Sequence, residues 1–324
     1  CLLSRGLGDV YKRQELSYSG DGSINSENNI KDLLFRIFIL YSVLSFIIFL
    51  LLNLSDIRMF NSLNLSMSLI SAGGFIPTNS LSKIIQSNPQ KLVLIFSLLI
   101  SLLNFFLILN IFEKKIIIRD HKEDLYLLIL SLIFILPVYF NNYSGLNIII
   151  SVLSSLSNSG LSLLNSESNL SLYFILITII GGSLISNTSG IKFTRIYILL
   201  KTVYSEIIKL VSPNSVVNKN IFNSDKKITD DVIKISFLIF ISFFISLFIL
   251  SGILLFDSID FEKSFKLSIL TITNTTTSSM YDVGKVNFAS LLTSSKLSLI
   301  IFMIIGKIEL ISIFLIIKKI FFKD

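Results

Sequence analysis

The chain has 324 residues, a formal net charge of +7, one cysteine and one histidine. It is 52% hydrophobic and only 15% charged, with a mean hydropathy of +0.78, which excludes an ordinary soluble domain. Cys1 and His121 alone supply neither a disulfide framework nor a Cys/His metal site. The apolar runs hold no His, Cys or carboxylate pair, so an intramembrane enzyme has nothing to work with.

In chain order, residues 1–14 differ in texture from everything after them and read as a non-native segment. Residues 15–29 are polar and read as a cytoplasmic loop. Apolar runs near 37–52, 92–112, 125–140, 170–185, 232–256 and 297–317 approach the length that crosses a bilayer. The segments between them divide by charge: one side carries 17 Lys/Arg and the other 7. This imbalance explains the basic charge by the positive-inside rule, without nucleic acid, and puts the richer side in the cytoplasm. His121, within Arg119-Asp120-His121-Lys122-Glu123-Asp124, reads as a solvated loop residue.

Three stretches too short to span, 61–78, 147–163 and 265–282, each sit between two apolar runs and each end in a small polar knot. The knots are Ser71-Ala72-Gly73-Gly74-Phe75, Ser157-Asn158-Ser159-Gly160-Leu161 and Thr273-Asn274-Thr275-Thr276-Thr277. The repetition divides the chain into hairpins at residues 30–123, 124–201 and 231–324, with a basic linker at 202–230. Three hairpins close a poor ring, so a fourth is expected upstream of the sequence. Irregular backbone at membrane depth is tolerated only inside protein or along a watery cavity. A half-helix entering from outside would point its negative C-terminal end inward. The turns at Gly73-Gly74 and Gly160 would then present backbone carbonyls to a dehydrated monovalent cation. The site set is Ser71, Ala72, Gly73, Gly74, Phe75, Asn158, Ser159, Gly160, Leu161, Asn274, Thr275 and Thr276.

The run at 170–185 is interrupted by Gly181-Gly182-Ser183-Leu184-Ile185-Ser186-Asn187-Thr188-Ser189-Gly190, which reads as an unwound stretch able to gate. Lys307 and Glu309 stand within the last apolar run, where charge is costly. Two residues apart on a helix, they do not face each other, and Lys307 can reach the polar groups near 186–189.

These residues carry a resemblance. Gly181-Gly182-Ser183, the run Ser189-Gly190-Ile191-Lys192-Phe193-Thr194-Arg195, Leu199-Leu200-Lys201, Glu206-Ile207 and Pro213-Asn214-Ser215-Val216 are similar to the TrkH/KtrB family of potassium-uptake proteins, closest to TrkH. Asn287-Phe288-Ala289-Ser290-Leu291, Gly306-Lys307-Ile308-Glu309 and Ser71-Ala72-Gly73-Gly74-Phe75 extend the match over nearly the whole chain after residue 14. The resemblance implies an all-α integral membrane fold of four membrane–pore-loop–membrane hairpins around a central pore, three of them present. It implies a multi-pass protein of the bacterial inner membrane, surrounded by lipid, paired as a homodimer and regulated by a cytosolic nucleotide-binding (TrkA-like) ring. No cofactor is implied beyond K+ as cargo. The gate would be Gly181, Gly182, Ser183, Ser186, Asn187, Thr188, Ser189 and Gly190, with Lys307 standing where the family usually has an arginine. The family's Thr-Gly-Phe appears as Ser159-Gly160-Leu161, and its Asn-x-Gly as Asn274-Thr275-Thr276. A potassium-uptake subunit, a sodium-permeable or nonselective channel of the same fold, and a non-conducting paralogue all remain open readings.

Overall fold

The computed structural model describes residues 27–78, 80–112, 122–140, 144–164, 168–212, 218, 220–223, 228–257, 259–276, 279–281, 288 and 291–308. The 1–14 segment, most of the 15–29 loop, His121, the 213–216 stretch, Asn287, Ala289, Ser290 and Glu309 lie outside the described residues. The chain folds as α-helices: α1 (Glu27–Leu54), α2 (Met59–Ile70), α3 (Asn88–Leu102), α4 (Phe105–Phe112), α5 (Lys122–Tyr139), α6 (Gly145–Leu156), α7 (Ser168–Ile180), α8 (Phe193–Val211), α9 (Asp230–Leu255), α10 (Phe261–Ile272) and α11 (Thr293–Ile308).

The helices are greasy outside and hydroxyl-lined inside. Along α9, Phe237, Ile241, Phe244, Phe248 and Ile249 are exposed, while Ser236, Ser242, Ser246 and Ser251 are buried. Each of those serines returns its hydroxyl to a carbonyl three or four residues back, as Ser242 does to Ile239 at 2.9 Å and Ser246 to Phe243 at 2.7 Å. A buried hydroxyl that satisfies itself locally costs little, and small residues let helices approach closely when lipid tails, rather than water, surround them. By length and composition, 35–54 and 230–255 are apolar enough to cross a bilayer.

One plan recurs three times. A 12-residue helix (α2, α6, α10) lies between two longer elements and packs on both. At 1.5 Å per residue each short helix is about 18 Å long, well short of a hydrocarbon core of about 30 Å. The units are joined in sequence order: α3 packs on α6 of the second unit, and α7 packs on α10 of the third.

The interruption expected in the run at 170–185 falls after Ile180, where Gly181 takes φ 70°. The structure departs from the sequence expectation in two places. The run at 92–112 is two helices, broken where Leu103 turns extended (ψ 163°) before Asn104. The 201/202 boundary falls inside α8, which continues to Val211. Between Gly190 and Pro213 the sequence offers no glycine or proline to end it. Beyond α8, Phe222 of the linker is buried against the α5–α8 pair, with ring centroids 4.2 Å from Tyr197 and 5.5 Å from Tyr126.

Candidate functional site

The three short helices end in the same way, hydrogen bond for hydrogen bond. In the first unit Ser71 N–H donates to Met67 O (3.1 Å), Ala72 N–H to Leu69 O (3.2 Å) and Gly73 N–H to Ser68 O (2.9 Å). In the second, Ser157, Asn158 and Ser159 donate to Leu153, Ser155 and Ser154; in the third, Thr273, Asn274 and Thr275 donate to Ile269, Thr271 and Leu270. This is the Schellman termination, which requires a left-handed residue one place beyond the cap. Ala72 (φ 48°), Asn158 (φ 55°) and Asn274 (φ 59°) supply it. The turn is therefore made by these residues and not by the glycines expected to make it.

The glycines act two residues later. Gly74 (φ 69°) and Gly160 (φ 64°) are left-handed again, so the backbone alternates in hand through the first two knots. Among the described residues of the third knot only Asn274 is left-handed; Thr276, aligned with Gly74 and Gly160, is not. A β-branched residue there would crowd its own backbone. Asn158, Ser159 and Leu161 are fully buried, and Phe75 is exposed. In the second and third knots, hydroxyls two residues apart also pair: Ser157 with Ser159 at 3.2 Å, and Thr273 with Thr275 at 3.0 Å. The second and third knots touch, since a Cβ on Gly160 would lie 3.4 Å from the Thr275 backbone.

The stretch 181–192 hydrogen-bonds to the end of α2 beside the first knot and to the third knot, and lies beside the second, where a Cβ on Gly181 would come 3.6 Å from Asn158 Oδ1. Asn187 Nδ2 donates to Ile70 O at the end of α2 (2.7 Å). Asn274 Nδ2 donates to Ser189 Oγ (3.2 Å) and to Met303 O on α11 (3.1 Å). Asn158 Nδ2 takes Thr178 O (2.8 Å), a carbonyl that α7 leaves open by ending at Ile180. Lys307 Nζ donates both to Ser71 O (2.6 Å) and to Asn187 O (2.5 Å), tying the first knot to the loop. The loop also closes on itself. Gly182 N–H donates to Thr188 Oγ1 (2.9 Å), Ser186 Oγ pairs with Thr188 Oγ1 (2.8 Å), and Phe193 N–H donates to Gly182 O (3.0 Å). Gly190 turns the chain at φ 84°, and Ser183 is buried.

Four important residues were not on the sequence's candidate list. Lys192 is buried, left-handed at φ 78°, and folds its ammonium back onto Ser186 O (3.0 Å) and Thr188 O (2.5 Å). Asn104 sits at the break between α3 and α4, and its N–H donates to Asp124 Oδ1 (2.9 Å). Glu123 Oε1 accepts from Leu184 N–H (2.7 Å) and from Thr194 Oγ1. Glu123 and Asp124 are buried at the start of α5 rather than solvated in a loop. The available signals were an Asn inside an apolar run and an acidic pair leading into one.

No family model matches the chain. It is 25% identical over 301 residues to an uncharacterized cation transporter of Methanocaldococcus jannaschii, a match covering 89% of this chain and 59% of the relative. The chain thus spans about three fifths of that relative's length. Its structure superposes on that of the potassium transporter TrkH from Vibrio parahaemolyticus with a TM-score of 0.79 at 19% identity, over 98% of this chain and 70% of the other. The fold is the all-α membrane-transporter fold of TrkH.

Proposed function

We propose that this TrkH-like chain is a multi-pass subunit of a bacterial inner-membrane pathway for monovalent cations, of the potassium-uptake type, and not an enzyme. The observation that carries this reading is the convergence of three identically terminated short helices on one loop. The negative ends of α2, α6 and α10 favour a cation. The alternating backbone beyond Ala72 and Asn158 offers carbonyls in place of a hydration shell. Stretch 181–190, held against the inner ends of the knots through Ile70 and Asn274 and through Lys307, which bridges Ser71 to Asn187, serves as the gate. Potassium is the cargo, and no cofactor enters. Assembly as a homodimer with a cytosolic nucleotide-binding ring belongs to the same reading.

A second reading has its own support. Because Thr276 lacks the left-handed conformation of Gly74 and Gly160, one quadrant of the filter presents its backbone differently, which favours admission of sodium. Rubidium uptake in competition with sodium separates the two readings, and Thr276→Gly sharpens the test. Restoring the alternation should raise the potassium-to-sodium permeability ratio roughly tenfold, a difference of about 1.4 kcal/mol in relative binding. An unchanged ratio in Thr276→Gly would remove the third knot from the filter. Absence of any cation flux in the full-length protein would sink the conduction reading.

A further inference from the structure

Two helices break side by side in this fold, and their freed backbone groups are shared. Ser183 N–H donates to Leu102 O (3.2 Å), and Phe105 N–H donates to Ile185 O (3.0 Å), so stretch 183–185 and the break at 102–105 exchange backbone bonds directly. That exchange leaves one inner N–H on each side, Leu184 and Asn104. The first goes to Glu123 (2.7 Å) and the second to Asp124 (2.9 Å). Two adjacent carboxylates from a third element therefore complete what the two breaks lack. Glu123 also accepts from Thr194 in the first turn of α8, so it holds both ends of the 184–194 segment. Lys192 and Arg195 are buried nearby and lie close enough to interact with Glu123. Hydrogen bonds to a buried charged acceptor are the strong ones, and an N–H left without its acceptor inside protein is costly.

We propose that Glu123 and Asp124 are positioning residues that clamp the α3–α4 break to stretch 181–192, so that both breaks move as one gating element. The proposal rests on the conduction reading only for its functional consequence; the mechanical coupling stands on the hydrogen bonds. For the loop to leave the knots with Leu184 still on Glu123 and Ile185 still on Phe105, the break at 103–104 must move with it. The gate is then two-sided, one side on the second unit and one on the first.

The test uses the full-length protein in detergent and in planar bilayers. Hydrogen–deuterium exchange followed by mass spectrometry should show Glu123→Ala accelerating exchange both at 183–185 and across the sequence gap at 104–105. Asp124→Ala should accelerate the same two segments. Acceleration confined to the segment bonded to the altered residue would overturn the coupling. In single-channel recordings, Glu123→Ala should raise open probability on the order of tenfold, the size of one net hydrogen bond. Unitary conductance and the potassium-to-sodium ratio should stay at wild-type values. Glu123→Gln, which keeps an acceptor for Leu184, should recover most of the difference. Unchanged open probability, or altered conductance with unchanged gating, would overturn the role in gating. Should Glu123→Ala fail to fold, Thr194→Val removes one of the two donors to Glu123 and so weakens the clamp without emptying it; it must shift exchange and open probability in the same direction, and no shift would overturn the proposal. A wild-type protein that carries no current defeats the conduction reading, while the exchange experiment still decides the clamp.

Discussion

Gly306→Ala should destabilise the protein more than any other single methyl addition in α11. A Cβ at this position would lie 1.9 Å from Ile272 O and 2.8 Å from Ile272 C. Both are backbone atoms at the end of α10, so no flexible side-chain tip can swing away. The helices must part instead, and overpacking of this kind costs about 3 kcal/mol or more. The displacement would not stay local. Ile272 is followed by the third knot, whose Asn274 donates to Met303 O on the same helix as Gly306. Lys307, the next residue, donates to Ser71 and Asn187, so moving α11 outward withdraws the tie between the first knot and the loop. Thermal unfolding of the purified protein should show a clear drop for Gly306→Ala. Gly252→Ala, where nothing lies within 4 Å of the added methyl, should unfold like the wild type. Equal melting of all three would mean that α11 does not approach α10 as described.

Much of this arrangement could be read from residues alone, and the parts that could not share a cause. The three knots were visible because each gathers small polar residues after a Ser/Leu-rich stretch, and helix ends advertise themselves that way. The assignment of the turn to Gly73-Gly74 followed from glycine's usual place at a helix end. The structure puts Ala72 there instead, and Asn158 and Asn274 in the other two units. Asparagine tolerates the left-handed region, and each of these two also spends its side chain on a carbonyl across the site, a gain glycine could not provide. That trade between backbone freedom and a distant hydrogen bond has no local signature. The break at Leu103 and the burial of Glu123 and Asp124 were hidden for the same reason. Their partners are backbone N–H groups of Asn104 and Leu184, which every residue but proline carries. A run such as 92–112 therefore looks continuous until a second broken helix is placed beside it. Lys192 and Arg195, which the charge asymmetry counts with the cytoplasmic side, are likewise buried because the loop they border folds back over them.

Gly160→Asp should abolish rescue of a potassium-uptake-deficient bacterium by the full-length protein. Gly160 is left-handed at φ 64°, and its Cβ position faces the Cα, Cβ and carbonyl oxygen of Thr275 at 3.4 Å each. Contact at that distance leaves room for a methyl group only if the third knot gives slightly. A carboxylate extends two bonds further, into a junction where Asn158, Ser159 and Thr275 are already fully buried. An aspartate there must either remain charged in a crowded site or displace one knot from its neighbour; burying an unpaired charge costs several kcal/mol. Either outcome breaks the register of two adjacent knots while leaving α6 and α7 intact, so the protein should still reach the membrane. Gly160→Ala isolates the conformational part: the left-handed backbone costs about 1–2 kcal/mol for a residue with a Cβ, and uptake should fall but persist. Gly145→Asp, at the open start of the same helix with nothing within 4 Å, supplies the matched control and should support growth like the wild type. Growth rate in low-potassium medium, normalised to membrane-resident protein, reads all three. Undiminished rescue by Gly160→Asp would place the conducting path elsewhere. Equal loss in the Gly145 control would show that an added charge anywhere along α6 and its knot, rather than contact between the second and third knots, accounts for the loss.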